Sequence, residues 1–173
     1  MKKEINESEM LHRAASYCSV AERSVQEVRK KIETAGLPEE ASERIIARLM
    51  KEKFIDEARY ARFFINDKMR FNKWGRVKLS YELYKKEIPA AIREEALAAI
   101  DETEYRSILL DLLKSKRRSV KGKDDRDTFG KLLRFAAGRG FESREAVDCL
   151  RRLLKDVDSD EFEDGDAYAD DLE

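Results

Sequence analysis

The sequence has few glycines and prolines, which end helices, and few histidines and cysteines, which bind zinc and other transition metals. Its 173 residues include 7 glycines and 2 prolines, whereas 42% are Asp, Glu, Lys or Arg. This balance favours helices with solvated charged faces over a strand-rich fold. His12 is the one histidine, and Cys18 and Cys149 lie far apart in apolar helical patterns. We therefore expect no metal site and no cofactor, and two reduced, packed cysteines.

Long apolar runs are also missing. No stretch approaches the roughly 18 apolar residues of a membrane helix. The N-terminus is polar from Lys2 onward and lacks the apolar core of a signal peptide. We expect a cytoplasmic protein without membrane contacts.

Charge is distributed unevenly along the chain. The segment 156–173 contains ten of the 37 acidic residues and no Lys or Arg, which leaves 27 acidic against 36 basic residues elsewhere. Such composition predicts a disordered acidic tail after a basic body that can meet polyanions or acidic protein surfaces. The tail could compete for the basic surface or serve solubility, and the sequence leaves both open.

Apolar positions recur at offsets of 51 and then 53 residues. A repeating apolar ladder of this kind is typical of tandem helical repeats that share core contacts. The pattern predicts an all-α fold of three tandem three-helix repeats in an elongated, curved array: repeats 1–54, 55–101 and 102–155, then the tail 156–173. The aligned triplets are Ile32–Gly36–Leu37, Leu83–Glu87–Ile88 and Ala136–Gly140–Phe141.

Capping residues predict helix ends. Ser8 is a good N-cap, Ser24 and Glu27 form a capping-box pattern, and Gly36 suits a left-handed residue after a helix. Other predicted helix starts are Asp56, Arg76, Pro89, Thr103, Asp127 and Ser143, with Gly138 and Gly140 closing the helix before the last.

Signals for catalysis are weak. His12 has no second histidine to complete a metal motif, and no Gly-rich phosphate loop follows a strand. Gly138-Arg139-Gly140 lacks the Walker lysine and follows a helix, so it predicts a helix C-terminus. Without a convincing nucleophile, base or metal site, we expect a binding protein and not an enzyme.

Two basic stretches are the candidate contact regions, 68–78 around Phe71 and Trp74, and 114–123, which has six cations and no acid. Such clusters suit phosphate contact. For Phe71 and Trp74 packing between repeats is favoured over partner contact, and for 114–123 binding and simple solvation stay open. The candidate electrostatic contacts are Arg59, Arg70, Lys73, Arg76, Lys78, Lys116, Arg117, Arg118 and Lys121; Arg59 could instead pair with Glu57 or another local acid.

Several motifs together resemble the RecX family of recombination regulators. They are Tyr17-Cys18-Ser19 with Glu22-Arg23-Ser24, the segment 55–63 with Trp74-Gly75-Arg76-Val77-Lys78 and Glu82-Leu83, and 131–136 with Arg139-Gly140-Phe141. The resemblance covers roughly residues 8–155. It departs from the family pattern in the acidic tail and in Arg76 directly after Gly75.

The resemblance implies tandem three-helix repeats and a role in DNA repair, recombination and the SOS response. It implies binding along the groove of a RecA recombinase filament, restraint of its strand exchange, ATP hydrolysis and co-protease activity, and, in some members, contact with single- or double-stranded DNA. We expect a monomer. Alternatives are a DNA- or RNA-binding helical-repeat module without a recombinase partner, and a structural helical scaffold.

Overall fold

The computed structural model describes residues 4–154, and these form helices joined by short turns without a strand. The predicted all-α fold of tandem three-helix repeats is confirmed. The predicted acidic tail, 156–173, lies outside the described residues. The helices are α1 (Glu7–Val20), α2 (Val25–Thr34), α3 (Glu39–Lys51), α4 (Glu57–Asn72), α5 (Arg76–Lys85), α6 (Ala90–Ala98), α7 (Glu102–Arg117), α8 (Asp125–Gly138) and α9 (Ser143–Leu153).

The described residues divide into two compact units. The first unit comprises 4–64 and 83–96, and the second comprises 65–82 and 97–154. Helices α4 and α5 each contribute one part to either unit. The predicted repeat boundaries stay predictions, although three helices fall within each predicted repeat.

In the first unit α1, α2 and α3 pack around one apolar core. Residues at helical spacing, such as Val28 and Ile32 on α2, turn the same side of each helix inward. Burying one such Ile or Leu side chain contributes about 1.5–3 kcal/mol relative to exposure. The core comprises Met10, Ala14, Val28, Ile32, Ile45, Ile46, Leu49 and Ile55.

In the second unit α7, α8 and α9 pack together in the same manner. Tyr105, Leu109 and Leu113 recur every four residues along α7, and each is fully buried. Their partners from the other two helices include Phe129, Leu132, Leu133, Ala136, Ala146, Val147 and Leu150.

The backbone confirms the register of the repeats. Gly36, Glu87 and Gly140 are the positions aligned by the two offsets, and all three have left-handed φ angles of 90°, 60° and 88°. After the second and third of them the amides of Ile88 and Phe141 donate back across the helix end, at 3.1 and 3.0 Å. Equivalent chain positions therefore end equivalent helices in the same way.

Several predicted caps are wrong by one to three residues. Helix α1 is capped by Asn6 and not Ser8, since the Asn6 side chain accepts the Glu9 amide at 2.8 Å. Helix α8 is capped by Asp124 and not Asp127, and Ser143 is the first helical residue of α9 and not its cap. Each predicted cap has another polar residue a few positions upstream, and sequence alone does not say which one is extended. Ser24 does cap α2, because it accepts the Glu27 amide at 3.2 Å.

The two cysteines are free thiols, as predicted. Cys149 is buried and Cys18 is half-buried, and desolvation raises the pKa of both thiols. Within residues 4–154 none of the helices combines the length and apolar character that crossing a bilayer takes.

Candidate partner-binding surfaces

Arg59 is held within the first unit by an ion pair. Its Nε lies 2.6 Å from Glu22 Oε1, and its Nη2 donates to the Lys53 carbonyl at 3.0 Å. The side chain is 39% exposed. The sequence left open whether Arg59 contacts a partner or pairs with a local acid. In this structure it pairs with a local acid, Glu22. A partner carboxylate or phosphate would have to compete with that pair.

Tyr60 follows Arg59 in α4 and is a core side chain. It is 6% exposed, and its hydroxyl donates to Glu27 Oε1 at 3.0 Å. Nearby, burial raises the pKa of Glu57 although the Val25 amide hydrogen-bonds its carboxylate and Arg29 lies close. We call this group the first junction: Glu22, Glu27, Glu57, Arg59 and Tyr60.

Arg76 lies at the start of α5 between two carboxylates of the second unit. It pairs with Glu142 at 2.9 Å and also with Glu102. Its guanidinium lies 4.0 Å from the ring centroid of Tyr105, whose hydroxyl donates to Glu142 and accepts the Arg76 amide at 3.1 Å. The Arg76 side chain is 19% exposed. It is therefore chiefly a residue that holds the unit together.

Glycine backbones meet beside Arg76. The Gly75 amide donates to the Arg139 carbonyl and the Val77 amide to the Gly140 carbonyl, both at 2.9 Å. A Cβ on Gly75 would lie 2.4 Å from the Gly140 oxygen, so only glycine permits this approach. We call this group the second junction: Gly75, Arg76, Tyr105, Gly140 and Glu142.

Arg70 makes a two-pronged ion pair with Glu104, at 2.6 and 3.2 Å. The pair is surface-exposed. The hydrogen bond from Arg70 holds the pKa of Glu104 below its ordinary value.

Trp74 carries lysines on its ring. The Nζ atoms of Lys78 and Lys68 lie 4.7 and 5.5 Å from its ring centroid. Lys73 has a left-handed φ of 57°, and its Nζ donates to the Arg70 carbonyl at 2.5 Å. Phe71 was expected to pack but is 80% exposed. The segment thus combines cations with an exposed aromatic ring, a combination that suits stacking on bases.

The C-terminal end of α7 carries the other predicted contacts. Lys116 lies 4.8 Å from the ring centroid of Phe135, and Arg117 Nη1 donates to the Leu153 carbonyl at 3.0 Å. Within the described part of the chain, neither Arg118 nor Lys121 has an ion pair with a carboxylate. We call the cations at this end of the helix the α7-end cluster: Lys114, Lys116, Arg117, Arg118, Lys121 and Lys123.

A basic cleft in the first unit is not among the surfaces predicted from the sequence. A cleft of about 390 Å³ between α1 and α2 is lined by Arg13, Tyr17, Lys30 and Lys31 among others. The guanidinium of Arg23 lies 3.8 Å from the Tyr17 ring centroid. Lys30 and Lys31 were visible in the sequence, but their approach to Tyr17 depends on how two helices pack.

His12 does not meet other catalytic groups in the contacts that the structure gives. Its Nδ1 lies 2.8 Å from the Ser8 carbonyl of the same helix. Across residues 4–154 no three His, Cys, Asp or Glu side chains converge as metal ligands do.

Two segments of the chain match models of a known protein family. Residues 11–49 match the family description "RecX, first three-helix domain", and residues 56–97 match "RecX, second three-helix domain". The two matched ranges contain α1–α3 and α4–α6 for most of their length.

Individual relatives of the chain have the same family name. The chain is 34% identical over 144 residues to "Regulatory protein RecX" of Prosthecochloris aestuarii, which spans 83% of this chain and 93% of the relative. It is 29% identical over 143 residues to "Regulatory protein RecX" of Clostridium beijerinckii, where it covers 65% of the longer relative. The fold resembles the crystal structure of RecX from Lactobacillus salivarius, with a TM-score of 0.76, 22% identity and coverage of 87% of this chain and 97% of that one. On these grounds the chain belongs to the RecX family of regulatory proteins.

Proposed function

We propose that this protein binds a RecA-type recombinase filament on DNA and restrains its strand exchange, ATP hydrolysis and co-protease activity. It acts by binding, without catalysis of its own, in the cytoplasm and as a monomer. Family membership supports the proposal, and the single structural observation that carries it is the α7-end cluster. None of its six cations has a carboxylate partner among residues 4–154: Lys114, Lys116, Arg117, Arg118, Lys121 and Lys123.

Charge that is not already neutralised can be offered to a partner. Arg59, Arg70 and Arg76 each pair with a carboxylate of their own unit, so they contact a partner only by giving up that pair. The α7-end cluster pays no such cost. We therefore rank the predicted contacts Lys116, Arg117, Arg118 and Lys121 first, Lys73 and Lys78 beside Trp74 second, and the three paired arginines last.

Repetition along a filament supplies the affinity. A recombinase filament presents the same surface on every subunit, and tandem repeats can make several weak contacts with neighbouring subunits. Linked weak contacts bind far more tightly than any one of them. Contacts that favour one subunit arrangement shift the equilibrium towards it, and ATP turnover changes with it.

The direct test is the ATPase rate of a RecA-type recombinase on single-stranded DNA with increasing amounts of this protein. We expect the rate to fall and to reach a plateau at a substoichiometric ratio of protein to recombinase. An unchanged ATPase rate, together with no binding of the recombinase filament, would reject the proposal.

A charge-reversal pair tests the ranked surface. The double variant R118E and K121E should require several-fold more protein for half-maximal inhibition. The matched control reverses two exposed cations outside the cluster, Arg62→Glu and Arg134→Glu, and changes the net charge equally. Equal loss in both variants would point to general charge and not to the α7-end cluster.

A nucleic-acid-binding module without a recombinase partner is the second candidate. The lysines on the Trp74 ring and the exposed Phe71 favour it, because bases stack on aromatic rings between cations. Binding of single-stranded DNA across a salt titration separates the two functions. Strong, salt-dependent DNA binding with no effect on the recombinase would favour this second candidate.

A further inference from the structure

The α7-end cluster is a concentration of positive charge without internal compensation. Several exposed arginines elsewhere have carboxylate partners, as in the pair of Arg44 with Glu7 at 2.8 Å. Three acids follow the cluster at the start of α8, and among residues 4–154 none of them has an ion pair with a cluster side chain: Asp125 makes no ion pair, and Asp124 and Asp127 are engaged elsewhere. Asp124 accepts the Asp127 amide, and Asp127 accepts the Lys123 amide and pairs with Lys131 at 3.3 Å. Within residues 4–154 Lys116 contacts the Phe135 ring and Arg117 donates to the Leu153 carbonyl, whereas the side chains of Lys114, Arg118, Lys121 and Lys123 have no hydrogen-bond or ion-pair partner.

The chain leaves the described structure directly at this cluster. Arg117 of α7 donates to the carbonyl of Leu153 in the last turn of α9. Asp156 follows Leu154 by two residues, a span of at most about 7 Å of backbone. The acidic segment 156–173 therefore begins within reach of the cations, with ten carboxylates and no Lys or Arg.

We infer that the acidic segment 156–173 docks on the α7-end cluster of its own chain and competes there with anionic partners. The carboxylates replace solvent around Lys114, Arg118, Lys121 and Lys123, and the basic surface is covered until a polyanion displaces them. Attachment next to the site gives the segment a high effective concentration, so individually weak ion pairs suffice. The contact weakens as salt screens it.

The alternatives on this chain are less suitable for the segment. Arg70 and Arg76 already have carboxylate partners, and the cleft lined by Lys30 and Lys31 contains the carboxylate of Glu27. The inference does not rest on the proposed function, because it concerns one chain and needs no recombinase.

Zero-length carbodiimide cross-linking of the full chain detects the contact itself. The reagent joins a lysine amine to a carboxylate that touches it. At low salt we expect peptides from 156–173 joined to Lys114, Lys121 or Lys123, and loss of these products at high salt. Cross-links absent altogether, or equally frequent to Lys30, Lys31 and Lys51, would overturn the inference.

A binding cycle with an oligothymidylate as the polyanion probe tests the competition. Neutralising the ten acids of 156–173 to Asn and Gln should tighten binding about tenfold at low ionic strength and much less at high salt. The substitutions lie outside the described helices, and far-UV circular dichroism checks that helicity is unchanged.

The cluster variant distinguishes docking from overall charge. The pair R118E and K121E should weaken binding more strongly in the neutral-segment protein than in the parent, where the segment competes for the same cations. The same loss in both backgrounds would show that the acids act at a distance and not on the cluster, and no gain on neutralisation would show that they do not compete with the polyanion; either outcome would overturn the inference. Either result is independent of whether the protein inhibits a recombinase.

Discussion

The first and second junctions both contain a tyrosine, an arginine and glutamate, but in different arrangements. In each, a tyrosine near the start of a helix, Tyr60 of α4 or Tyr105 of α7, donates its hydroxyl to a glutamate elsewhere in its unit. The first junction is made by side chains and has an excess of carboxylates over cations. The second centres on Arg76 and on two glycine backbones that touch. We therefore expect the stability of the first junction to depend on the protonation of its carboxylates. The stability of the second should fall when a side-chain atom is added at a glycine.

The two junctions also differ in whether their buried polar atoms have hydrogen-bond partners. In the first junction one carboxylate oxygen each of Glu22 and Glu57 is buried without a hydrogen-bond partner. In the second junction both ends of the Arg76 guanidinium reach carboxylates, and the Tyr105 hydroxyl both donates and accepts. A buried acceptor without a donor lowers stability by about 1–3 kcal/mol, so the first junction is the less optimised one.

Breaking the contact between the two glycine backbones should have the largest effect on stability. Gly75→Ala should lower the free energy of unfolding by about 2–4 kcal/mol, because its Cβ would meet the Gly140 backbone, which cannot move aside as a side chain does. Urea unfolding gives the value. Gly138→Ala is the matched control, since nothing lies within 4 Å of its added Cβ. Equal midpoints for Gly75→Ala and Gly138→Ala would show that the close approach is not needed.

Removing the central arginine should come next. Arg76→Gln leaves Glu102 and Glu142 without their cation and should cost about 2–3 kcal/mol. Arg59→Gln removes a more exposed arginine from the first junction and should cost about 1 kcal/mol. Thermal and urea unfolding of both variants test this order. A larger loss for Arg59→Gln would reverse the comparison.

The two tyrosines should differ in the same direction by a smaller amount. Tyr105→Phe removes a fully buried hydroxyl with two hydrogen bonds and should cost about 2 kcal/mol, whereas Tyr60→Phe removes one bond and should cost about 1 kcal/mol. Each Phe keeps the ring packing, so the difference isolates the hydroxyls. Indistinguishable unfolding free energies for the two variants would count against the account of the second junction.

The smallest effects concern pH and have opposite signs. Burial raises the pKa of Glu57 above its ordinary value of 4.5, so the folded state favours the protonated acid. Its favourable contribution is complete below pH 4.5 and is lost as the pH rises through the folded pKa. Glu57→Gln should therefore be more stable than the parent at neutral pH and equal to it in acid. Urea midpoints measured across the pH range give the curve.

Glu104 provides the matched contrast. Arg70 lowers its pKa, so its contribution is present above the ordinary value of 4.5 and disappears as the pH falls through the folded pKa. Glu104→Gln should be slightly less stable than the parent at neutral pH and equal to it in acid. Two difference curves of the same sign would contradict the assigned environments of these carboxylates.

Much of the fold was predictable because its signals are local. Ile32, Leu83 and Ala136 were aligned from spacing alone, and all three are fully buried. The left-handed position after a helix was predicted at Gly36 and followed by register to Glu87, a residue that would not suggest it by type. Caps were predicted less well, since neighbouring polar residues such as Asp124 and Asp127 compete for one role.

The candidate contacts were harder to predict, because a basic residue in a sequence does not show its partner. Arg59 and Glu22 are 37 residues apart, and Arg76 and Glu142 are 66 apart. Nothing in the local pattern distinguishes these arginines from Arg118, which has no such pair among residues 4–154. The role of each nominated cation in partner binding stays a prediction.

The sequence by itself determined the helices, their threefold repetition and the side that each turns inward, because apolar periodicity acts within a few residues of the chain. The tertiary structure decided which charges are neutralised and which stay available, because an ion pair forms only where folding brings distant side chains within about 4 Å. The tertiary structure also explains why residue 75 must be glycine, since the backbone atoms that would clash with a side chain there belong to a part of the chain distant in sequence.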